Sequence, residues 1–378
     1  MSRASGSWRA VVTASSVLSL ALLGDALIYA VLPVYAASFG VSLAMVGILL
    51  SANRFVRVFA YGAVAALTYK VGSRRMCIAA AVLAVVSTAI YGVGQGVWVL
   101  LIGRILWGVT YAILLLVTLD YAVEFRKQAG TRVGVSMAIQ RTGPIIALLG
   151  GAWLTGLIGP TTVFLVLAGV SLLAIPLAMS LPARRDGERQ QTPPKRLGRP
   201  YPVDLVFFLL GFGVDGVFAI SIALIFAQDS SAAVAVMSGG AILAMRHLAG
   251  AVAAPIFGWA ADRFGARRVF ITSAVLTIIG FACIAADFTV IGAVAMLVFR
   301  GALAALGPAI IVDGLAEHDP AIGPLARMQA WRDLGAAVGP LTTGFALAFV
   351  SAQFLHGAVA VLLVLGLLYW MRTPKTAP

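Results

Sequence analysis

Twelve stretches of roughly 20 residues, almost free of charge, divide this chain: 11 to 32, 43 to 67, 76 to 95, 97 to 119, 133 to 155, 160 to 181, 204 to 226, 237 to 260, 268 to 285, 290 to 312, 326 to 349 and 354 to 371. At about 1.5 Å per residue, a helix of that length matches the ~30 Å hydrocarbon layer of a bilayer, where backbone polar groups must be satisfied internally. The chain is therefore expected to be an all-α integral membrane protein with twelve transmembrane helices. Composition agrees: 61% of its 378 residues are apolar and 11% charged, against roughly 45–50% and 25% in soluble domains. The first run contains Asp25 and precedes eleven others, so it reads as an uncleaved span rather than a secretory signal.

Basic residues orient the spans. Segments on the side of the N-terminus hold 20 of the 27 Lys and Arg residues, including Arg74, Arg75, Arg184, Arg185, Arg267 and Arg268, and the connections on the other face hold none. The positive-inside rule then places both termini in the cytoplasm. The net charge of +13 belongs to that face, so it does not mark a nucleic-acid-binding protein. Cys77 and Cys283 stand singly in separate spans, which argues against a disulfide framework or a zinc site. No metal-ligand cluster, nucleophile with a base, or phosphate loop is present in the sequence, so neither an enzyme nor a cofactor is expected.

Residues 182 to 203, PARRDGERQQTPPKRLGRPYPV, are polar, basic and rich in proline, as a linker should be. They separate two halves of six spans each, 1 to 181 and 204 to 378, which correspond at matching places. Asp25 of the first span corresponds to Asp215 of the seventh, Arg104 to Arg300, Arg141 to Arg332, and GSRR at 72 to 75 to GARR at 265 to 268.

These residues resemble the major facilitator superfamily of secondary transporters over essentially the whole chain. GWAADRFGARR at 258 to 268 is similar to the signature loop of that family, with Gly258, Asp262, Arg263, Gly265, Arg267 and Arg268 in place. The first-half copy, AALTYKVGSRR, departs from it: Tyr69 stands where the aspartate belongs and Ala65 where the first glycine belongs. RILWG at 104 to 108 is similar to the arginine motif of span four, and RTGPIIALLGG and GAAVGPLTTG resemble the glycine–proline motif described for antiporters. SxNRFxR in span two is a pattern of bacterial permeases, which implies a bacterial inner membrane. The resemblance implies a twelve-helix fold in two bundles, with helices one, four, seven and ten lining a central cavity.

In the signature loop, Asp262 can accept from Arg267 or Arg268, or sit at the positive end of a helix from the other half; Gly258 lets a backbone approach closely. The expectation is a gate, against a static cap on a tight turn. Asp120 and Asp313, at the cytoplasmic ends of spans four and ten, are expected to pair with the arginines of neighbouring turns.

Seven arginines and no lysine lie deep in the spans: Arg54, Arg57, Arg104, Arg141, Arg246, Arg300 and Arg332. Such residues must face the bundle interior or a wet cavity. Deep acids number only three, Asp25, Asp215 and Asp333, with Asp204 near an entrance. Counted from span centres at about 1.5 Å per residue, Asp25 and Arg104 share one depth, and Asp215 and Arg300 another. Each pair is either a permanent ion pair that fixes packing or a protonation switch. The surplus guanidiniums need water, carbonyls or an anionic guest. Arg54, Arg57 and Tyr61 share one face of span two, with Arg141 close in depth. Tyr29, Tyr111, Phe218 and Trp331 are candidates to line an amphipathic pocket, the alternative for each being plain packing. His247 is the one histidine at depth, while His318 and His356 are placed in connections.

The expected activity is alternating-access transport: proton-coupled export of an anionic or amphipathic organic solute by a monomer in the bilayer. In that scheme protonation of Asp25 frees Arg104 and releases substrate. Uptake or exchange of an organic anion is the first alternative; a sensor or assembly factor that no longer transports is another.

Overall fold

The computed structural model describes residues 2–182, 200–219, 232–315, 319–347 and 349–373, nearly all of them helical. Most of the linker, with Arg184 and Arg185, and the candidate His318 lie outside the described residues. Twelve helices follow in chain order: α1 Ser2–Val34, α2 Leu43–Val71, α3 Ser73–Val93, α4 Val97–Ala122, and α5 Ala129–Ile146 continued by a π turn Ala147–Gly151 and by Ala152–Ile158. After these come α6, Thr162–Ser171 and Ala174–Met179; α7, Pro202–Leu210 continued by a π-helical stretch Gly211–Val217; α8 Ala232–Phe264; α9 Ala266–Ala285; α10 Thr289–Asp313; α11 Ile322–Ala346; and α12 Ala352–Arg372.

Among the described residues nine helices are long and apolar enough to cross a bilayer. The other three, α7, α8 and α11, hold Asp204, Asp215, Arg246, Arg327, Arg332 and Asp333 between them. In α11 the charges Arg327, Arg332 and Asp333 interrupt the apolar run, and the fold turns them inward. His356 proves to lie within α12 and not in a connection: it is buried, with Nδ1 2.7 Å from the Ala352 carbonyl.

Glycines end and turn the helices where the repeat requires it. Gly72, between α2 and α3, and Gly265, between α8 and α9, share a φ of 93°, a conformation that a side chain disfavours. The two basic turns are therefore the same local structure in each half.

One bundle is α1 to α6 and the other α7 to α12. In the first, α1 packs on α5 and α2 on α4; in the second, α7 packs on α11 and α8 on α10. Small residues allow this, as they do wherever helices meet in lipid. Gly143 on α5 lies against the Ser19 carbonyl of α1, and Gly335 on α11 against the Phe208 carbonyl of α7, the matching pair of the second half. Pro144 cannot donate a backbone hydrogen bond, and α5 slips into its π turn three residues later.

The bundles meet along α5 with α8 and along α2 with α11. The face at which α1 begins and α12 ends is termed the terminal face. There Gly130 and Gly258 pack backbone to backbone, and Arg126 of the first half donates to Val312 O at 3.4 Å, Leu315 O at 3.0 Å and Asp319 O at 2.5 Å in the second. The two bundles are thus fastened together on the terminal side of a central cavity.

Candidate substrate cavity

The cavity between the bundles has a volume of about 260 Å³. Asp25, Tyr29, Arg54, Arg57, Tyr111, Asp215, Arg246, Arg300 and Arg332 line it, together with Asn53, His247, Gln329 and Asp333. Helices α1, α2, α4, α7, α8, α10 and α11 therefore all contribute polar groups. Phe218 and Trp331 are not among the lining residues; Trp331 packs edge-on to Phe208 at 6.4 Å.

The two repeat-related pairs form, in different settings. On the first-half side Arg104 Nη1 donates to Asp25 Oδ1 at 2.6 Å. Its Nε donates to Leu49 O at 3.0 Å, and Nη2 to Tyr29 Oη at 3.0 Å and Leu50 O at 3.2 Å. The Arg104 side chain is 1% exposed and that of Asp25 14%, so the carboxylate borders the cavity and the guanidinium stands behind it. Protonating Asp25 would remove one of four contacts, which does not free Arg104; that part of the expected scheme has no geometric support.

In the second half Arg300 Nε and Nη2 both reach Asp215 Oδ1, at 2.7 and 2.6 Å. Arg332 Nη2 lies 3.5 Å from Oδ2. Side-chain exposures of 17% for Arg300 and 23% for Arg332 put both guanidiniums at the cavity surface. Asp215 sits in the π-helical stretch of α7, the kind of local irregularity that recurs at functional sites.

A third pair crosses between the bundles. Arg57 Nε on α2 is 3.0 Å from Asp333 Oδ2 on α11, and Tyr61 Oη donates to the same oxygen at 2.8 Å. The Arg57 guanidinium also stands 4.5 Å from the centre of the Tyr111 ring, a favourable cation–π distance. One turn away, Arg54 Nη1 donates to Ala336 O of α11 at 2.7 Å. Asp333 belongs to this arrangement, whereas the sequence marks it only as a deep acid. Its signal was a mid-helix position level with Arg57.

Among the described residues, the remaining deep guanidiniums have no acid of their own. Arg141 lies against Gly250, where there is no room for a methyl group, and its Nη1 is buried without a hydrogen-bond partner. Arg246 Nε is buried in the same condition. Asn53 Oδ1 and Gln329 Oε1, from two lining residues, are buried acceptors with no donor. No group of three His, Cys, Asp or Glu residues among those described could hold a metal ion.

At the terminal face Asp262 takes the second of its two expected positions. Oδ1 accepts from Gly130 N at 2.8 Å and Oδ2 from Thr131 N at 2.7 Å, so the carboxylate caps α5 across the bundle interface. The basic residues of its own loop go elsewhere: Arg263 to the rings of Trp259 and Phe264, Arg267 to that of Trp370, and Arg268 to an exposed position. Asp120 accepts from Ser73 Oγ at 2.9 Å. Asp313 is exposed at the end of α10, with no ion pair among the described residues. The first turn of α11 has no acidic residue of its own, and its N-cap residue makes no side-chain bond.

A family model described as Major Facilitator Superfamily matches residues 14–209 and 203–378. The human organic anion transporter MFSD10 (TETRAN) superposes with a TM-score of 0.81 at 15% identity, over 96% of this chain and 99% of that one. The Escherichia coli fucose:proton symporter FucP superposes with a TM-score of 0.74 at 14% identity, over 96% and 98%. No curated protein sequence matches the chain. At these identities the superpositions speak for the fold alone.

Proposed function

As this chain belongs to the major facilitator superfamily, a family of transporters and not of enzymes, we propose that it moves an organic anion across the membrane by alternating access, driven by protons. The observation that carries the reading is the charge of the cavity, lined by five guanidiniums and three carboxylates, with Arg104 and Arg141 buried beyond the lining. A cluster of buried like charges is costly unless an anion, water or carbonyls compensate it. The clasp at Asp262 and the bridge at Arg57 then act as the bonds that break when the cavity opens to the terminal face, which the basic residues mark as cytoplasmic. Bacterial inner-membrane localisation and a monomeric state complete the reading.

Proton and anion bind this cavity cooperatively. Neutralising Asp25 or Asp215 raises the positive potential felt by the guest, and a guest at Arg300 and Arg332 weakens their hold on Asp215. Cooperative binding favours movement of both in the same direction, hence uptake with protons, over export against them. The glycine–proline segments that speak for export have a packing role in their own right, at Gly143, Gly335 and Gly339.

Counterflow in proteoliposomes tests the reading. Vesicles loaded with an organic anion should exchange it for labelled external anion, and Asp25→Asn or Asp215→Asn should exchange while losing accumulation driven by a pH gradient. Exchange of neutral sugars in place of anions would refute it.

A further inference from the structure

We infer that the guest is a compact dianion that also carries a hydroxyl group, a chemistry shared by hydroxy-dicarboxylates and hydroxylated phosphate monoesters. The inference rests on the anion-transport reading and narrows it. Asp25 is engaged by Arg104, Asp333 by Arg57, and Asp215 chiefly by Arg300. Three other guanidiniums line the same cavity, Arg54, Arg246 and Arg332, from α2, α8 and α11 and so from both bundles. Each guanidinium carries five N–H donors. Arg54 uses one on Ala336 O, Arg332 one at 3.5 Å from Asp215, and Arg246 leaves a buried Nε unused. A monoanion would balance one of these three charges; a dianion balances two and leaves Arg332 to Asp215.

The hydroxyl follows from a different observation. Carboxylates and phosphates at full charge only accept hydrogen bonds, yet two of the amides that line the cavity carry acceptors with no donor. Asn53 turns its Nδ2 towards Asp25 Oδ1 at 3.5 Å, which leaves Oδ1 buried and without a donor, and Gln329 Oε1 is buried in the same state. A hydroxyl on the guest supplies that donor once the side-chain amide rotates its oxygen towards the cavity. Size sets the third limit: 260 Å³ falls below the roughly 300–1,000 Å³ of sites for drug-sized ligands, so the guest is small.

Calorimetric titration of the purified full chain at neutral pH tests this with malate, glycerol 3-phosphate, succinate, lactate, inorganic phosphate and methyl glucoside. Malate or glycerol 3-phosphate should bind at least roughly tenfold more tightly than lactate, which has the hydroxyl and one charge, and more tightly than succinate, which has two charges and no hydroxyl. Which of the two leads separates the carboxylate from the phosphate source. Arg246→Gln should lower the malate-to-lactate affinity ratio by about tenfold; should that variant not purify, the wild-type ranking decides alone. Lactate binding as well as malate would overturn the dianion while leaving anion transport intact, and succinate matching malate would overturn the hydroxyl. Inorganic phosphate binding best would replace the organic dianion by an inorganic one. Binding of methyl glucoside with none of the anions would sink both this inference and the transport reading beneath it.

Discussion

Arg104 and Arg300 hold matching places in the two halves, yet one is walled in behind its carboxylate and the other lines the cavity. Substitution of Arg104 and of Arg332, which lines the cavity beside Arg300, should part accordingly. Arg104 serves four acceptors with one planar fork, a geometry that an ammonium cannot copy. Arg104→Lys should therefore destabilise the protein by about 3 kcal/mol, the scale of a broken buried pair, visible as a lower melting temperature in detergent. Arg332→Lys should stay within about 1 kcal/mol of the parent, because the residue spends one long bond on Asp215 and keeps contact with the cavity. Equal melting temperatures for the two variants would contradict the distinction. The presence of deep arginines was legible in the sequence, since no other reading accounts for seven of them in apolar spans. Which of them are walled in was not, because Leu49 O, Leu50 O and Ala336 O are backbone acceptors that any side chain could have carried.

Helices α5 and α8 show the same limit one level up. The periodicity and glycines of GWAADRFGARR place Asp262 at a helix end, but its partners, Gly130 N and Thr131 N, lie more than 130 residues earlier. Nothing local in the sequence chooses them over Arg267 or Arg268. The arrangement predicts that Asp262→Asn weakens the terminal-side closure by about 1 kcal/mol, since the amide retains the shape and loses the charge at the α5 N-terminus. Labelling of a single cysteine placed at Gln329, on the terminal side of the cavity, should then speed up by roughly fivefold. An unchanged rate would make the contact a passive cap. Irregular helix segments were equally illegible: Pro144 announces a fault in α5, whereas nothing but glycine spacing precedes the π-helical Gly211–Val217 that carries Asp215.

For the whole molecule, the twelve spans and the twofold repeat were readable because lipid allows few architectures, and most described helix ends fall within about five residues of the expected limits, with α1 starting nine residues early and the end of α7 outside the described residues. The bridges between bundles were not, since Arg57 and Asp333 are paired by docking alone. Docking is also what links proton to anion. A carboxylate that takes up a proton as the guest binds makes affinity rise as pH falls, with a plateau once that carboxylate is protonated before binding. Asp215→Asn, which mimics the protonated form, should therefore bind the anion at least as tightly as the parent near neutral pH and lose most of the pH dependence. Weaker binding by the variant would make Asp215 a packing residue. The central claim, that anion and proton travel together through the arginine-rich cavity, is tested most directly by the pH inside proteoliposomes that enclose a fluorescent indicator. On addition of external malate with no initial pH gradient, the account predicts acidification of the lumen by the wild-type chain and none by Asp215→Asn. A lumen that turns alkaline, or one whose pH stays constant while malate enters, would contradict it.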